Sequence, residues 1–313
     1  KELRNCSDMK NFISITAIIT IMAEIALGTF ANVFIALVNC TDYHKRKKIS
    51  LADQILTALA VSRIGLLLVI LTNFCSPMIN PVLYAKETRC IISFIWAITH
   101  HLNTWLATVL SIFYLLKIAN FSNLIFLHLK RKVKNVIIVA ILANFLFMIH
   151  ILMMKNICEV IKGNEHEIYL LNKTKLSNMV NLTLMSIFTL DNVIPFITSL
   201  ICFLLLIYSL CKHLRTMKIY GKGTQDASTM AHTKALQTVV SFLLLFALFF
   251  LTVTVSGWNY KTSLSEPIHL ICQAIGILYP SSHSFILIWG NKKLKQAFTL
   301  VMMKVKFWLR EGK

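Results

Sequence analysis

Residues 12–38 read FISITAIITIMAEIALGTFANVFIALV, with Glu24 as the single charged residue. Crossing ~30 Å of hydrocarbon takes ~20 mostly apolar residues in a helix, so this stretch is long enough to span a bilayer. Six more stretches read the same way, at 51–76, 90–116, 135–154, 183–210, 235–257 and 267–290. Each is expected to be helical, because lipid offers no partner to a free backbone N–H or C=O. The connections are short, and no soluble domain, long linker or internal repeat stands out. The expected fold is all-α: one seven-transmembrane helix bundle over residues 1–313.

Composition agrees. Of 313 residues, 57% are hydrophobic and 14% charged, and the mean hydropathy is +0.69. Soluble chains are ~45–50% apolar and ~25% charged, which excludes a soluble enzyme, a disordered chain and a fibrous protein. Thirty-two Lys and Arg against 13 Asp and Glu give a formal charge of +19. In a soluble chain that excess would suggest nucleic acid. Here it has a plainer source, since membrane bundles keep basic residues in cytoplasmic loops. The clusters at 45–48 and 130–134 are read as juxtamembrane lipid anchors, with contacts for an acidic or helical cytoplasmic partner as the alternative and no nucleic-acid partner.

Orientation follows from the same residues. The segments 39–50, 117–134, 211–234 and 291–313 hold 21 Lys and Arg, the opposite segments hold ten, and Arg63 alone lies inside a span. The richer side is cytoplasmic, which puts the N-terminus outside. Asn172-Lys-Thr and Asn181-Leu-Thr then fall in the outer loop between spans 4 and 5, as candidate glycosylation sites. Asn39-Cys-Thr and Asn120-Phe-Ser fall inside, as chance matches. No cleavable signal peptide is expected, because span 1 is too long for one. The first methionine is Met9, which leaves the place of residues 1–8 in the mature chain open. The cysteines form no Cys-x-x-Cys pair, so no metal is expected. Cys40 and Cys211 are expected as thiols. Cys90 and Cys158 both lie near the outer surface, where a bridge and two thiols are both open.

Polar groups inside lipid cost ~2.5–3.5 kcal/mol each when charged, so each needs a reason. The interior set is Glu24, Asn32, Arg63, His100, His101, Asn103, His150, Asp191, Asn192, Gln273 and His283. Arg63, near mid-membrane, needs acceptors on neighbouring helices. Asn32 and oxygens near Ser281 to Ser284 are candidates, with Glu24 as an ionic partner. Two readings fit this interhelical network: a switch joining helices 1, 2 and 7, or a static support. Asp191 is placed near the outer interface, where a charge costs little.

On span 3, Trp96, His100 and Asn103 are spaced i, i+4, i+7 and share one helical face. An aromatic wall with polar tips suits an amphipathic small molecule. Gln273 and Phe249 are expected to close the site. The alternative is that Trp96 belongs to the interfacial aromatic belt and His100 is a packing residue. Neutral Gln273 opposite His100 offers no fixed anion to a cationic ligand.

Pro195 interrupts span 5 and is the only mid-span proline counted as a break. Residues 292–309 alternate Lys with Leu294, Ala297, Phe298, Val301, Val305 and Trp308, an amphipathic stretch fit for the cytoplasmic interface. No nucleophile motif, phosphate loop or metal motif appears, so neither an enzyme nor a cofactor is expected. A small-molecule transporter is the runner-up; paired broken helices would favour it.

Seven spans with an outside N-terminus and a basic inside resemble a G-protein-coupled receptor. Several familiar marks of the commonest class are missing. Span 3 ends in Phe113-Tyr114-Leu115 without Asp-Arg-Tyr, span 7 lacks Asn-Pro-x-x-Tyr, and Arg63 stands where Asp is usual. The chain resembles instead the type 2 taste receptors, the bitter taste receptors. The resemblance rests on 24–39 (EIALGTFANVFIALVN), 56–63 (LTALAVSR), 105–122 (WLATVLSIFYLLKIANFS), 195–210 (PFITSLICFLLLIYSL), 232–246 (HTKALQTVVSFLLLF) and 279–298 (YPSSHSFILIWGNKKLKQAF). It implies bitter small-molecule agonists bound in the outer half, near Trp96, His100 and Gln273. It implies coupling to a heterotrimeric G protein of the gustducin or inhibitory type. The coupling surface would include Tyr114, Lys117, His128, Lys130, the 211–218 stretch with His213, and Lys292. Asn181 resembles the family's glycosylated site, and the expected location is the plasma membrane.

Overall fold

Lipid forces each apolar stretch to close its own backbone hydrogen bonds, and the helix is the local solution. The computed structural model describes residues 2–46, 49–79, 86–163, 170–219, 227–258 and 266–311. Among these residues there are nine helices and no strand. They are α1 (Glu2–Arg46), α2 (Leu51–Ile79), α3 (Lys86–Ile118), α4 (Leu124–Arg131), α5 (Val133–Gly163), α6 (Leu170–Ile219), α7 (Ala227–Trp258), α8 (Glu266–Gly290) and α9 (Lys292–Glu311). Six of them are long and apolar enough to cross a membrane, and α4 with the start of α5 makes a seventh if taken as one bent span. The chain is a seven-transmembrane helix bundle with a C-terminal helix, and it is a membrane protein.

The helices outrun the apolar stretches at most ends. Residues 170–182, expected as loop, are helical, because α6 begins at Leu170. The connection after α3, also expected as loop, contains α4. Asn123 caps it by accepting from the Ile125 N–H at 2.9 Å. An N-cap Asn before the apolar run Leu124-Ile125-Phe126-Leu127 is a start signal legible in the sequence. The chain then turns by 84° into α5.

Packing follows chain order with one closure: α1 packs on α2 and on α8, α2 on α3, α3 on α6, α6 on α7 and α7 on α8. The main apolar core lies between these faces, with Ile35, Leu59, Leu110, Leu206, Phe246 and Ile288 buried. The outward faces keep large apolar side chains exposed, such as Leu27, Leu68, Phe145, Leu204 and Leu248. On a soluble protein such a belt would be an aggregation hazard, whereas in lipid it is the solvated surface.

α1 and α8 approach closely because residue 28 is glycine. A Cβ built there would stand 2.4 Å from Ser281 Oγ and 2.8 Å from Ser281 Cβ. Pro195 leaves the Asp191 carbonyl without its helical N–H, yet α6 runs on through it. The Thr108 hydroxyl lies 3.2 Å from the Pro195 carbonyl, and Ser199 Oγ donates to Thr108 Oγ1 at 2.9 Å. Pro195 is not the only proline inside a span. Pro280 sits within α8, which also continues.

At the end of the bundle carrying Lys117, Lys130 and Lys293, here the basic end, polar ties hold the helix ends. Lys130 Nζ donates to the Ala119 carbonyl at 2.7 Å, and the Asn120 N–H donates to Ser209 Oγ at 3.0 Å. Asn291 Oδ1 caps α9 by accepting from the Lys293 N–H at 3.0 Å. Lys293 Nζ lies 3.2 Å from an Asp42 oxygen and 3.1 Å from an Asp53 oxygen, joining α9 to α1 and α2. Phe298 packs edge-on against Phe34, with ring centroids 5.5 Å apart. Beyond it, Leu300, Met303, Phe307 and Trp308 are exposed, as an interfacial helix requires.

Candidate functional site

Two polar layers cross the bundle. The first lies toward the end opposite the basic one. The Trp96 and His100 rings stack with centroids 4.9 Å apart, one turn separated on α3. Phe188 of α6 lies 6.3 Å from Trp96 and 6.2 Å from His100, and Phe249 of α7 lies 5.6 Å from His100. His100 Nε2 lies 2.9 Å from Asn192 Oδ1. The Asn192 amide is already donating to the Phe188 carbonyl at 2.7 Å. Its Oδ1 therefore accepts, and His100 Nε2 carries the hydrogen. His100 and Phe249 are buried, whereas Trp96 is partly exposed. The result is a packed aromatic cluster between α3, α6 and α7 with one fixed polar tip.

Gln273 is partly exposed on α8. Six residues on along the same helix, Tyr279 packs on Phe249 at 5.0 Å. Asn103 lies one turn deeper than His100 on α3. Its side chain is fully buried and engaged by Arg63.

His101 and Asp191 form a companion pair on the other face of α3. His101 Nδ1 donates to Asp191 Oδ1 at 2.6 Å, and Trp105 Nε1 donates to the same oxygen at 3.4 Å. Phe147 of α5 lies 6.1 Å from the His101 ring. Asp191 is thus buried between helices. A carboxylate this far from water needs such donors.

The second layer centres on Arg63 of α2, which is 0% exposed. Its Nε donates to Asn103 Oδ1 at 3.1 Å, Nη1 donates to Ser284 Oγ at 3.1 Å, and Nη2 lies 2.6 Å from His283 Nδ1. A guanidinium has only donors, so His283 Nδ1 must accept. The Tyr279 ring faces the guanidinium, 5.1 Å from its carbon to the centroid.

Asn32 joins one step removed. Ser284 Oγ donates to Asn32 Oδ1 at 2.8 Å, while Asn32 Nδ2 donates to the Gly28 carbonyl at 2.7 Å. Glu24 does not pair with Arg63. Its backbone carbonyl accepts from Ser281 Oγ at 2.9 Å, and its Oε2 is buried without a hydrogen-bond partner. Gly28 and Leu67 occupy the turn between the Glu24 and Arg63 levels, where Leu67 Cδ1 comes within 3.0 Å of a Cβ built at Gly28. Tyr279 was missed as an Arg63 partner. The signal was its i, i+4 spacing to His283 on the face that meets α2.

At the basic end, Lys117, His128, His213 and Lys292 are exposed and Tyr114 is partly buried. Lys130 is half-buried and spends its ammonium on the Ala119 carbonyl. Cys40 and Cys211 are free thiols. The side chains of His150, Asn172, Asn181, Cys90 and Cys158 lie outside the described residues. Among the described residues no cluster of metal ligands occurs.

Comparison with known proteins bears on what this arrangement serves. The model of the taste receptor protein (TAS2R) family matches residues 9–306. Taste receptor type 2 member 136 of Rattus norvegicus is 55% identical over 309 residues, covering 98% of this chain and 93% of the relative. Member 31 of Pan troglodytes is 52% identical over 305 residues, covering 97% of this chain and 99% of the relative. Member 136 of Mus musculus is 54% identical over 307 residues, with 97% and 100% covered. A family match over nearly the whole chain, on a helical membrane bundle, gives a receptor in place of an enzyme: the chain belongs to the type 2 taste receptors, the bitter taste receptor family.

Proposed function

We propose that this receptor binds bitter small molecules at the aromatic cluster and, when occupied, activates a heterotrimeric G protein of the gustducin or inhibitory type. The observation that carries the reading is the Trp96–His100 stack, closed by Phe249 on one side. A flat ligand sliding against these rings gains aromatic contact and finds a polar partner at His100. Gln273 borders the same end and supplies a neutral amide. Among the described residues Gln273 is neutral and Asp191, the carboxylate that acts on His100, is engaged by His101 and Trp105, so neutral agonists suit the site better than cations.

Signalling is a population shift. Agonist contacts favour an arrangement in which the basic ends of α6 and α7 part, and the G protein binds that arrangement. Tyr114, Lys117, His128, Lys130, His213 and Lys292 form the docking surface. The basic end faces the cytoplasm of a plasma membrane, the N-terminus lies outside, and Asn172 and Asn181 carry glycans there. The Arg63 network, with Asn32, sets the resting balance between the two arrangements. Linkage requires that bound G protein raise agonist affinity by the factor by which agonist favours coupling.

The test is agonist-driven nucleotide exchange on purified G protein by the purified receptor. Exchange that rises with agonist, with agonist affinity raised by nucleotide-free G protein, supports the reading. Transport of the same compound across vesicles without exchange replaces it with a transporter.

A further inference from the structure

Arg63 is a buried charge whose partners are all neutral. Its guanidinium carries five N–H donors. Three are placed, on Asn103 Oδ1, Ser284 Oγ and His283 Nδ1, and the Tyr279 oxygen also engages the guanidinium. Tyr279 offers its π face, which attracts the cation without cancelling its charge. Among the described residues no carboxylate pairs with Arg63, and the ion pairs present lie elsewhere, at His101–Asp191 and at Lys293. An uncompensated ion in the middle of a membrane protein is costly.

Two more donors belong to the same cluster. Asn103 Nδ2 is buried with no hydrogen-bond partner, and the buried Tyr279 hydroxyl, whose oxygen faces Arg63, has no acceptor for its own hydrogen. Turning the Asn103 amide over does not help, because its nitrogen would then face the Arg63 N–H, donor against donor. Ser284 Oγ takes the Arg63 N–H and gives its own hydrogen to Asn32. Apart from lone pairs on the Tyr279 oxygen, what remains around this positive charge is a set of donors.

We propose that the Arg63 cluster is an anion site, in which the guanidinium, Asn103 Nδ2 and the Tyr279 hydroxyl hold one small monovalent anion, chloride in physiological fluid. A halide accepts several hydrogen bonds and supplies the missing charge, whereas water supplies only the first. The site joins α2, α3 and α8, so its occupant braces three helices at the layer that holds them in register.

The test is thermal unfolding of the purified full-length receptor in neutral detergent, with chloride exchanged for gluconate at constant ionic strength. The midpoint rises saturably with chloride, as for any ligand of the folded state. Bromide replaces chloride, and bulky gluconate does not. Asn103→Asp sets a carboxylate against the Arg63 N–H and removes the orphan amide, so the chloride effect disappears. Tyr279→Phe keeps the ring and serves if that variant does not fold; losing one bond to an ion weakens half-saturation about tenfold or more. Equal wild-type midpoints in the two salts overturn the proposal and leave water as the partner of these donors. A chloride shift kept in full by both variants overturns it as well. The readout uses neither agonist nor G protein, so it stands apart from the signalling reading.

Discussion

Asn103 Oδ1 accepts from Arg63 Nε at 3.1 Å across the α2–α3 interface. This contact divides one face of α3 by depth. Trp96 and His100 stack on each other, and Asn103, two turns below Trp96, anchors the buried charge. Asn103→Ala leaves a charged N–H without its acceptor, a loss of ~1.5–3 kcal/mol. The expected result is a lower unfolding midpoint of the purified receptor, with agonist potency on the surviving surface receptors near wild type. A loss of potency at normal stability would return Asn103 to the binding site.

His100→Ala removes the ring stacked on Trp96 and the donor to Asn192. The half-effective agonist concentration should rise about tenfold, equivalent to ~1.4 kcal/mol of lost contact. Surface labelling should show expression maintained. An unchanged dose–response curve removes His100 from the binding site.

Gly28→Ala puts a methyl group where Ser281 Oγ stands 2.4 Å away. Overpacking of this kind costs ~1–3 kcal/mol, so surface expression should fall. Adding Ser281→Gly clears both the hydroxyl and the Cβ it hangs from, and should recover much of the loss. Failure of the second change to rescue the first would place the strain elsewhere.

Lys293 and Lys292 are neighbours with different duties. Lys293 bridges Asp42 and Asp53, and Lys292 is exposed. The bridge is partly solvated, which limits it to ~1 kcal/mol or less. Lys293→Ala should speed hydrogen exchange in the first turns of α9, read by mass spectrometry, whereas Lys292→Ala should not. Equal exchange in the two variants would mean the bridge does not hold α9.

Much of the fold was legible because lipid makes hydropathy decisive: the stretch 51–76 coincides with the apolar part of α2, Leu51–Ser76. Helix ends were less legible, since nothing in the apolar run marks where a helix stops once it leaves lipid, as at Leu170. α4 was hidden by its basic residues, which draw attention as a charged loop, although the Asn123 cap was there to be read. In the aromatic cluster, the i, i+4 spacing of Trp96 and His100 was enough to bring them together. Spacing could not rank depth, so Asn103 was grouped with them. The partner of Asp191 was out of reach because it depends on how α3 and α6 rotate against each other. The same holds for Arg63: its need for acceptors follows from charge, but the choice of Asn103, Ser284 and His283 over Glu24 follows from packing around Gly28 and Leu67.

On the proposed function, this chain turns small-molecule binding into G-protein activation. The most direct measurement is G-protein dissociation in cells carrying the receptor and a gustducin-like chimeric α subunit. They would be challenged with neutral and cationic bitter compounds against untransfected controls. The expected result is a receptor-dependent, saturable response, stronger for neutral compounds and right-shifted by His100→Ala. Receptor-dependent signalling driven equally by cationic compounds and indifferent to His100 would contradict the proposed site. No response to any compound, with surface expression confirmed and purified G protein also silent, would contradict the coupling itself.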